Sequence, residues 1–316
     1  MHRTPNPEVE GRVSESLRTS TALRSGLLLV DKPAGVTSHD VVAHVRRAAQ
    51  TKRVGHAGTL DPFATGLLVV AVGHATRLLP YLDDEPKVYE AQFRFGFETD
   101  SEDSTGMPTT TASLPDWSTL PDAIRQLTGA VQQVPPMYSA KHVHGERAYK
   151  KARRGELVEL APVAITVNEW QIIHRIEDRL SVRISCGGGT YIRSLARDLG
   201  RLMTSAAHCA TLRRVQSGRC NIHDAVPWSA LERGSVAGGA VKIVAPLSVL
   251  HAMSKVTLSE SDEIDVRHGR SIAASHDGER ASLVDTDENI VAIAIRTDDN
   301  RWQPRVVLPS DGVDVP

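Results

Sequence analysis

The chain has 316 residues, few cysteines, few aromatic residues, no long apolar run and almost no net charge. Each shortage excludes something. Cys186, Cys209 and Cys220 are odd in number and form no C-x-x-C pair, which argues against a disulfide framework or a zinc ribbon and leaves them as reduced core thiols. No window approaches the roughly 18 consecutive apolar residues that a membrane span requires, and residues 1–24 lack the apolar stretch of a secretory signal. The expected location is the cytoplasm, with no membrane partner. At 24% charged and 41% hydrophobic residues, the composition is that of a globular protein long enough for two domains.

A net charge of −1 seems to argue against a nucleic-acid partner, but a global sum hides how charge is laid out. Residues 251–316 hold 7 Lys and Arg against 13 Asp and Glu, which leaves residues 1–250 with 30 against 25. The first 250 residues are therefore mildly basic. Within them, "KHVHGERAYKKARRG" (141–155) has six Lys and Arg against Glu146, and the stretch Arg193 to Arg219 has six Arg against Asp198. Residues 81–122 run the other way, with ten acids and two bases.

Residues 1–24 are polar and aperiodic and read as a flexible tail. "GLLLVDKPAG" (26–35) predicts a buried strand entering a turn, and Thr37 or Ser38 can cap a helix bearing Val41, Val42 and Val45. "GLLVVAVG" (66–73) predicts another buried strand. "KVYEAQFRFGF" (87–97) alternates, so Tyr89 shares a face with Ala91, Phe93 and Phe95. The acidic, Ser/Thr/Pro-rich stretch 98–116 reads as an exposed connection, followed by a helix, a Pro-Pro break and a basic insertion that contains a helix. Further strands lead through a glycine-rich turn into a helix with Ile192, Leu195, Leu199 and Leu202 on one face. From about 251 short β-like runs take over, and no internal repeat is present.

Three stretches carry chemistry. In "RVGHAGTLDP" (53–62), glycines and a proline fix a loop that presents the His56 ring and the Asp61 carboxylate, an arrangement suited to a planar substrate. Asp61-Pro62 also reads as a plain helix start. "GGGTYIRSLARDLG" reads as a tight turn or as a phosphate cradle, although its spacing matches no nucleotide-binding fingerprint. While the chain is still extended, Tyr191 and Arg193 place an aromatic ring and a carboxylate-gripping guanidinium near one site. The run 141–155 is either a solvated helix face or, with Tyr138 and Tyr149 among Lys150, Lys151, Arg153 and Arg154, a surface for phosphates and exposed bases.

Taken together, "GLLLVDKPAGVTSHDVV", "RVGHAGTLDPFATGLLVVAVGHATR", "QVPPMYSAKHVHGERAYKKAR" and "GGTYIRSLARDLG…LRR" resemble the blocks of the TruB family of tRNA pseudouridine synthases, in the family's order and spacing. The resemblance implies an α+β protein and, with the N-terminal tail that falls outside the family's blocks, three parts. They are a tail (1–24), a catalytic core (25–250) with a mixed, largely antiparallel sheet flanked by helices and a thumb insertion (about 138–160), and a small C-terminal PUA-like β domain (251–316). It implies isomerisation of uridine to pseudouridine at position 55 in the T-arm loop of tRNA, with no metal, cofactor or obligate protein partner, by a monomer. Asp61 matches the catalytic aspartate and Arg193 the arginine paired with it. His56 matches the residue that fills space beside the vacated stack, Tyr89 the aromatic that stacks on the flipped base, and Tyr191 and Leu212 the rest of the pocket. Lys141, Lys150, Lys151, Arg153 and Arg154 match an RNA-clamping thumb. The acidic C-terminal segment departs from a strong phosphate grip, so contacts there are expected to be local, through Arg267 and Arg270.

Two rivals remain. A helper that only pries the tRNA loop open would need no carboxylate, and an aspartate-nucleophile phosphotransferase would carry a D-x-D companion that Asp61-Pro62-Phe63 lacks.

Overall fold

A computed structural model describes residues 25–82, 85–139, 142–143, 146–147, 154, 160–232 and 243–309. The tail 1–24 and Lys141, Lys150, Lys151 and Arg153 of the basic insertion lie outside the described residues. In chain order the first unit comprises β1 (Gly26–Lys32), α1 (Ser38–Ala48), β2 (Val54–Ala57), β3 (Thr65–Val72), β4 (Lys87–Phe95), β5 (Phe97–Thr99), β6 (Pro108–Thr111), α2 (Leu120–Gln126) and β7 (Gly129–Gln133). It continues with β8 (His142–Val143), β9 (Glu146–Arg147), β10 (Val163–Ile176), β11 (Arg179–Cys186), α3 (Ile192–Leu202), β12 (Ala207–Ser217), β13 (Cys220–Asn221), β14 (Val226–Pro227) and α4 (Trp228–Glu232).

Ten of these strands form one mixed sheet in the order β14-β1-β3-β12-β4-β11-β10-β7, with β13 on β12 and β2 on β3. The β14–β1 and β3–β12 pairs are parallel and the others antiparallel. The continuous apolar runs in β1 and β3 follow from burial on both faces. Leu28, Val30, Leu68 and Val70 pack on Val41, Val42 and Val45 of α1, while Leu27, Leu29, Leu67 and Val69 turn to the opposite layer with Ala75 and Val249. α1 starts at Thr37, whose hydroxyl accepts from the Asp40 amide while the Asp40 carboxylate accepts from the Thr37 amide.

β4 is one-sided. Tyr89, Ala91, Phe93 and Phe95 join a core with Ile192, Leu195 and Leu199 of α3. Its other face meets charged partners, with Glu90 paired to Arg183 at 2.9 Å and Arg94 to Asp178 at 2.8 Å. Leu202, expected on the buried face of α3, is exposed, and Met203, one residue further on, is buried in the core instead.

The stretch 98–116 is not merely a surface connection. It folds back as the β5–β6 hairpin and buries Glu98, Thr99 and Asp103. In the basic insertion the described pieces are the two short strands β8 and β9 and the single residue Arg154, and the helix expected there lies outside the described residues.

The C-terminal sheet has the order β15-β17-β18-β19-β16, formed by β15 (Ser254–Thr257), β16 (Ile272–Ala273), β17 (Arg280–Val284), β18 (Ile290–Arg296) and β19 (Arg301–Val307), with α5 (Glu260–Arg267) packed on it. Its core gathers around the fully buried Trp302 with Leu283, Ala292 and Val266. This is the small β-rich unit expected after residue 250, with α5 as an element the β-like pattern did not announce. Leu78, Leu250, Met253 and Ile293 form an apolar seam between it and the segment after β3.

α3 approaches β12 closely at Gly200, where a Cβ would meet the Ala207 amide nitrogen at 2.6 Å. Helix propensity alone gives Gly200→Ala a gain of up to about 1 kcal/mol. The close approach reverses that sign: the variant is expected to lose about 1–3 kcal/mol in a denaturant titration. A stabilised variant would show that the helix can move outward freely.

Candidate active site

The sheet opens where β3 changes partner. β12 pairs with Thr65 and Gly66 at the start of β3, whereas β2 pairs with Val69 to Val72 on that same edge, so the chain from 58 to 64 spans the gap between them. Gly66 permits the junction: its φ is +101°, and a Cβ there would meet the Arg214 carbonyl oxygen at 2.3 Å.

The bridging loop is pinned along its length. Arg214 donates to the Gly58 carbonyl at 3.1 Å, and Ser38 Oγ both accepts from the Leu60 amide (2.9 Å) and donates to the Leu60 carbonyl (3.1 Å). The Gly35 amide and Lys32 Nζ donate to the Pro62 carbonyl at 2.8 and 3.4 Å. No helix begins at Asp61-Pro62: the Ala64 amide closes a turn on the Asp61 carbonyl at 3.1 Å and β3 follows. Asp61 thereby presents its carboxylate from a fixed backbone, with a third of the side chain exposed.

Behind Asp61 sits Arg193, whose side chain is 3% exposed. Its Nε donates to Asp61 Oδ2 at 2.9 Å, Nη1 to the Ser101 carbonyl at 2.7 Å and Nη2 to the Tyr138 carbonyl at 2.9 Å. Asp103 Oδ2 lies 3.7 Å from Nη1, while Asp103 Oδ1 is held by Ser101 and Thr105. Asp61 Oδ1 is bound by no described residue, which leaves one oxygen for a substrate.

Arg193, Arg197 and Arg201 recur at intervals of four and so lie along one side of α3. Arg197 pairs with Glu102, and Arg201 pairs with both oxygens of Glu98 at 2.8 Å. Glu98, Glu102 and Asp103 are thus counter-charges for the helix. Burial pushes the Glu102 carboxyl above its ordinary range, with Arg197 opposing that push.

The remaining expected residues fall as follows. Tyr89 is buried on β4, and Leu212 is buried on β12 in the same apolar cluster, together with Leu60 of the loop. Tyr191 stands at the start of α3, where its amide and carbonyl are clasped by the amide side chain of the buried Gln133. Burial raises the Tyr191 phenol, the charge of Arg193 opposes that shift and the charge of Asp61 adds to it, so Tyr191 shares their site. His56 lies on strand β2 rather than in the loop and meets His39 edge to face at 5.7 Å. Burial, His39 and Arg214 lower its pKa. Arg154 is exposed. Arg267 and Arg270, expected as local RNA contacts, are ion-paired to Glu263 and Asp265 of α5.

Sequence reasoning missed Lys32, Ser38, Ser101, Asp103, Gln133 and Arg214. Signals existed for two of them: Lys32 ends an apolar run, and Ser38 was a rival helix cap that turns out to serve Leu60. Lys32 is fully buried, and its ammonium donates to the carbonyls of Pro33 (2.9 Å) and Val36 (2.7 Å).

The chain matches the sequence profile described as "TruB family pseudouridylate synthase (N terminal domain)" over residues 46–192. The tRNA pseudouridine synthase B of Thermobifida fusca is 42% identical over 284 residues, covering 86% of this chain and 94% of that protein. That of Gloeobacter violaceus is 40% identical over 293 residues, covering 90% and 99%. Among solved structures, a Cbf5-Nop10-Gar1 complex has a chain that superposes with a TM-score of 0.68 at 21% identity, covering 92% of this chain and 85% of that one. The box H/ACA Nop10-Cbf5 complex gives 0.67 at 20%, covering 92% and 88%. The fold is thus that of the pseudouridine synthases, a mixed-sheet core with a C-terminal β unit of PUA-like character. The chain belongs to the TruB family.

Burial lowers the Lys32 pKa from 10.5 to about 8, with the Asp61 charge opposing the shift. Because the folded value is depressed, the unfolded chain holds the extra proton between pH 8 and 10.5. The cost to folding is therefore full below pH 8 and is relieved as pH rises through that window. A nitrogen-15 titration of the Lys32 side chain is expected to show a midpoint near pH 8, and a midpoint above 10 would contradict the burial argument.

Proposed function

We propose that this chain isomerises uridine to pseudouridine in tRNA, at position 55 of the T-arm loop, with Asp61 as the catalytic group. The observation that carries this reading is the Asp61 carboxylate, fixed on a pinned loop and held at 2.9 Å by the buried guanidinium of Arg193, with Oδ1 turned to no described partner. A uridine stacked inside the T-loop is out of reach of such a group, so the nucleotide is flipped outward at a cost of a few kcal/mol. Tyr89 stacks on the extruded base, Tyr191 and Leu212 line the rest of the pocket, and His56 fills space beside the vacated stack.

The bond from C1′ to N1 then breaks with its electron pair going to the base. Asp61 either bonds to C1′ or takes the 2′ proton, and both routes free the base to turn. C5 next bonds to C1′ as the Asp61–C1′ bond breaks or as Asp61 returns its proton to C2′, and the C5 proton is lost as N1 gains one. Substrate and product contain the same atoms, so the rearrangement consumes no cofactor. The groups the chemistry calls for all come from one chain, which fits a monomer without an obligate protein partner. The buried, unbridged thiols fit the reducing cytoplasm.

Residues 25–250 form the catalytic unit in this reading and 251–316 an accessory β unit. The basic insertion clamps the RNA through Lys141, Lys150, Lys151, Arg153 and Arg154. A second basic surface lies at the end of α1 and the entry to β2, where Arg46, Arg47, Lys52 and Arg53 are exposed and form no ion pair with a described carboxylate. It leads along β2 toward the Asp61 loop, a course that suits a phosphate backbone approaching the site.

Asp61→Asn is expected to abolish pseudouridine formation, read by nuclease digestion and nucleoside chromatography, while tRNA affinity changes by less than about threefold, since phosphate contacts dominate affinity. Retained turnover would remove Asp61 from the chemistry and favour the loop-prying helper. Charge reversal at Arg46, Arg47, Lys52 and Arg53 is expected to weaken tRNA binding and to flatten its salt dependence, by about one unit of slope for each phosphate that is no longer neutralised. An unchanged slope would take this surface out of the RNA interface.

A further inference from the structure

Arg214 is 1% exposed, and among the described residues it has no carboxylate partner. Its Nε donates to the Leu67 carbonyl at 2.8 Å and its Nη2 to the Gly58 carbonyl at 3.1 Å, both neutral acceptors. Burying a cation among neutral dipoles is costly, and removing it would let the protein pack more cheaply. Such an arrangement makes sense where negative charge appears during function.

The geometry says where that charge would appear. Arg214 lies two residues beyond Leu212 on β12 and so on the same face of the strand, and the register sets it directly opposite Tyr89 on β4. Its charge is felt around the pocket: it helps to lower the pKa of His56 and of Lys32, and it opposes the upward push of burial on the Tyr89 phenol. Through the Gly58 carbonyl the same guanidinium holds the root of the loop that carries Asp61.

We infer that Arg214 is a positioning residue for the chemical step, placing fixed positive charge beside the base platform to stabilise the electron pair left on uracil when the glycosidic bond breaks. The inference rests on the proposed function. On heterolysis the C1′–N1 pair goes to N1 and delocalises onto O2 and O4, while the sugar is taken up by Asp61 by either route. When C5 bonds to C1′, the Asp61–C1′ bond breaks or Asp61 returns its proton to C2′, the charge on the base is consumed, the C5 proton departs and N1 is protonated. The base is anionic only between cleavage and re-formation, so the cation acts on the transition state rather than on binding.

The test compares single-turnover rates, read as loss of the target nucleoside from nuclease digests, at saturating tRNA for the unaltered chain, Arg214→Gln and Arg214→Lys, on tRNA carrying uridine or 5-fluorouridine at the target; the fluorinated base has no C5 proton to lose, so its C5-linked product ends by adding water across N1 and C6. Fluorine withdraws electrons and makes the base a better leaving group without help from the protein. Arg214→Gln is expected to slow conversion of uridine about 100-fold or more, as loss of a preorganised electrostatic group does, with the tRNA Kd within about threefold. Its defect on 5-fluorouridine is expected to be at least about tenfold smaller, and Arg214→Lys, which keeps the charge, is expected to fall between Arg214→Gln and the unaltered chain.

Equal defects on the two bases, or a loss of affinity matching the loss of rate, would overturn the inference and leave Arg214 a structural tie. If Arg214→Gln melts below the assay temperature, Arg214→Lys carries the same comparison, and a defect that fluorine does not shrink overturns it there. Turnover of uridine by the unaltered chain reports separately on the proposed function.

Discussion

A guanidinium cannot shed its proton inside a protein, so a buried arginine must be surrounded by acceptors. Arg193 sets that constraint here. To satisfy it, the chain brings the Ser101 and Tyr138 carbonyls, the Asp61 carboxylate and the nearby Asp103 onto one side of α3. Those partners come from stretches far apart in sequence. Losing one of them would leave part of a buried charge uncompensated. The aim of Asp61 is thus fixed by packing that reaches well beyond the loop that carries it.

The same logic explains why the sheet is built as it is. A carboxylate that must meet a substrate needs exposure, whereas the arginine behind it needs burial. The parting of β2 from β12 along the edge of β3 supplies both, since the loop 58–64 lies in the gap with its backbone tied down and one side chain facing out. Ties from Ser38 and Lys32 make the segment after β1 part of the site, although it contributes no group to the proposed chemistry. Rigidity in a site usually comes from such supporting contacts rather than from the reacting groups themselves.

Local pattern carried the elements well. The apolar runs in β1 and β3, the alternation in β4 and the Thr37 cap are short-range features, and each appears where the spacing placed it. Asp61, Arg193 and Tyr191 were singled out because their motifs stand out, whereas Leu212 came from the family resemblance alone. What local pattern could not reveal was pairing at a distance. The stretch 98–116 looked like solvent-exposed turn sequence, since acid, serine and proline favour turns. Glu98, Glu102 and Asp103 are instead set against Arg201, Arg197 and Arg193, a match visible only when the basic side of α3 and the acidic segment are put together. His56 was assigned to a loop because glycines flank it, yet hydrogen bonding to β3 makes it a strand residue. Arg214 hid in plain view beside Arg213, because nothing in a dipeptide says that Arg213 faces Asp31 near the surface while its neighbour is sealed in the core.

The internal pairing also changes how the overall charge should be weighed. Glu98, Glu102 and Asp103 count as three acids in the sequence, but each lies largely buried against an arginine of α3 and projects little field into solvent. Arg267 and Arg270 are matched in the same way on the C-terminal unit, by Glu263 and Asp265. What an approaching polyanion meets is the remainder, in which Arg46, Arg47, Lys52 and Arg53 stand exposed without a described acidic partner while the C-terminal segment keeps its excess of acid. Electrostatic steering follows exposed rather than total charge. A chain with a formal charge of −1 can therefore still draw RNA phosphates toward the side of the sheet from which Asp61 looks out.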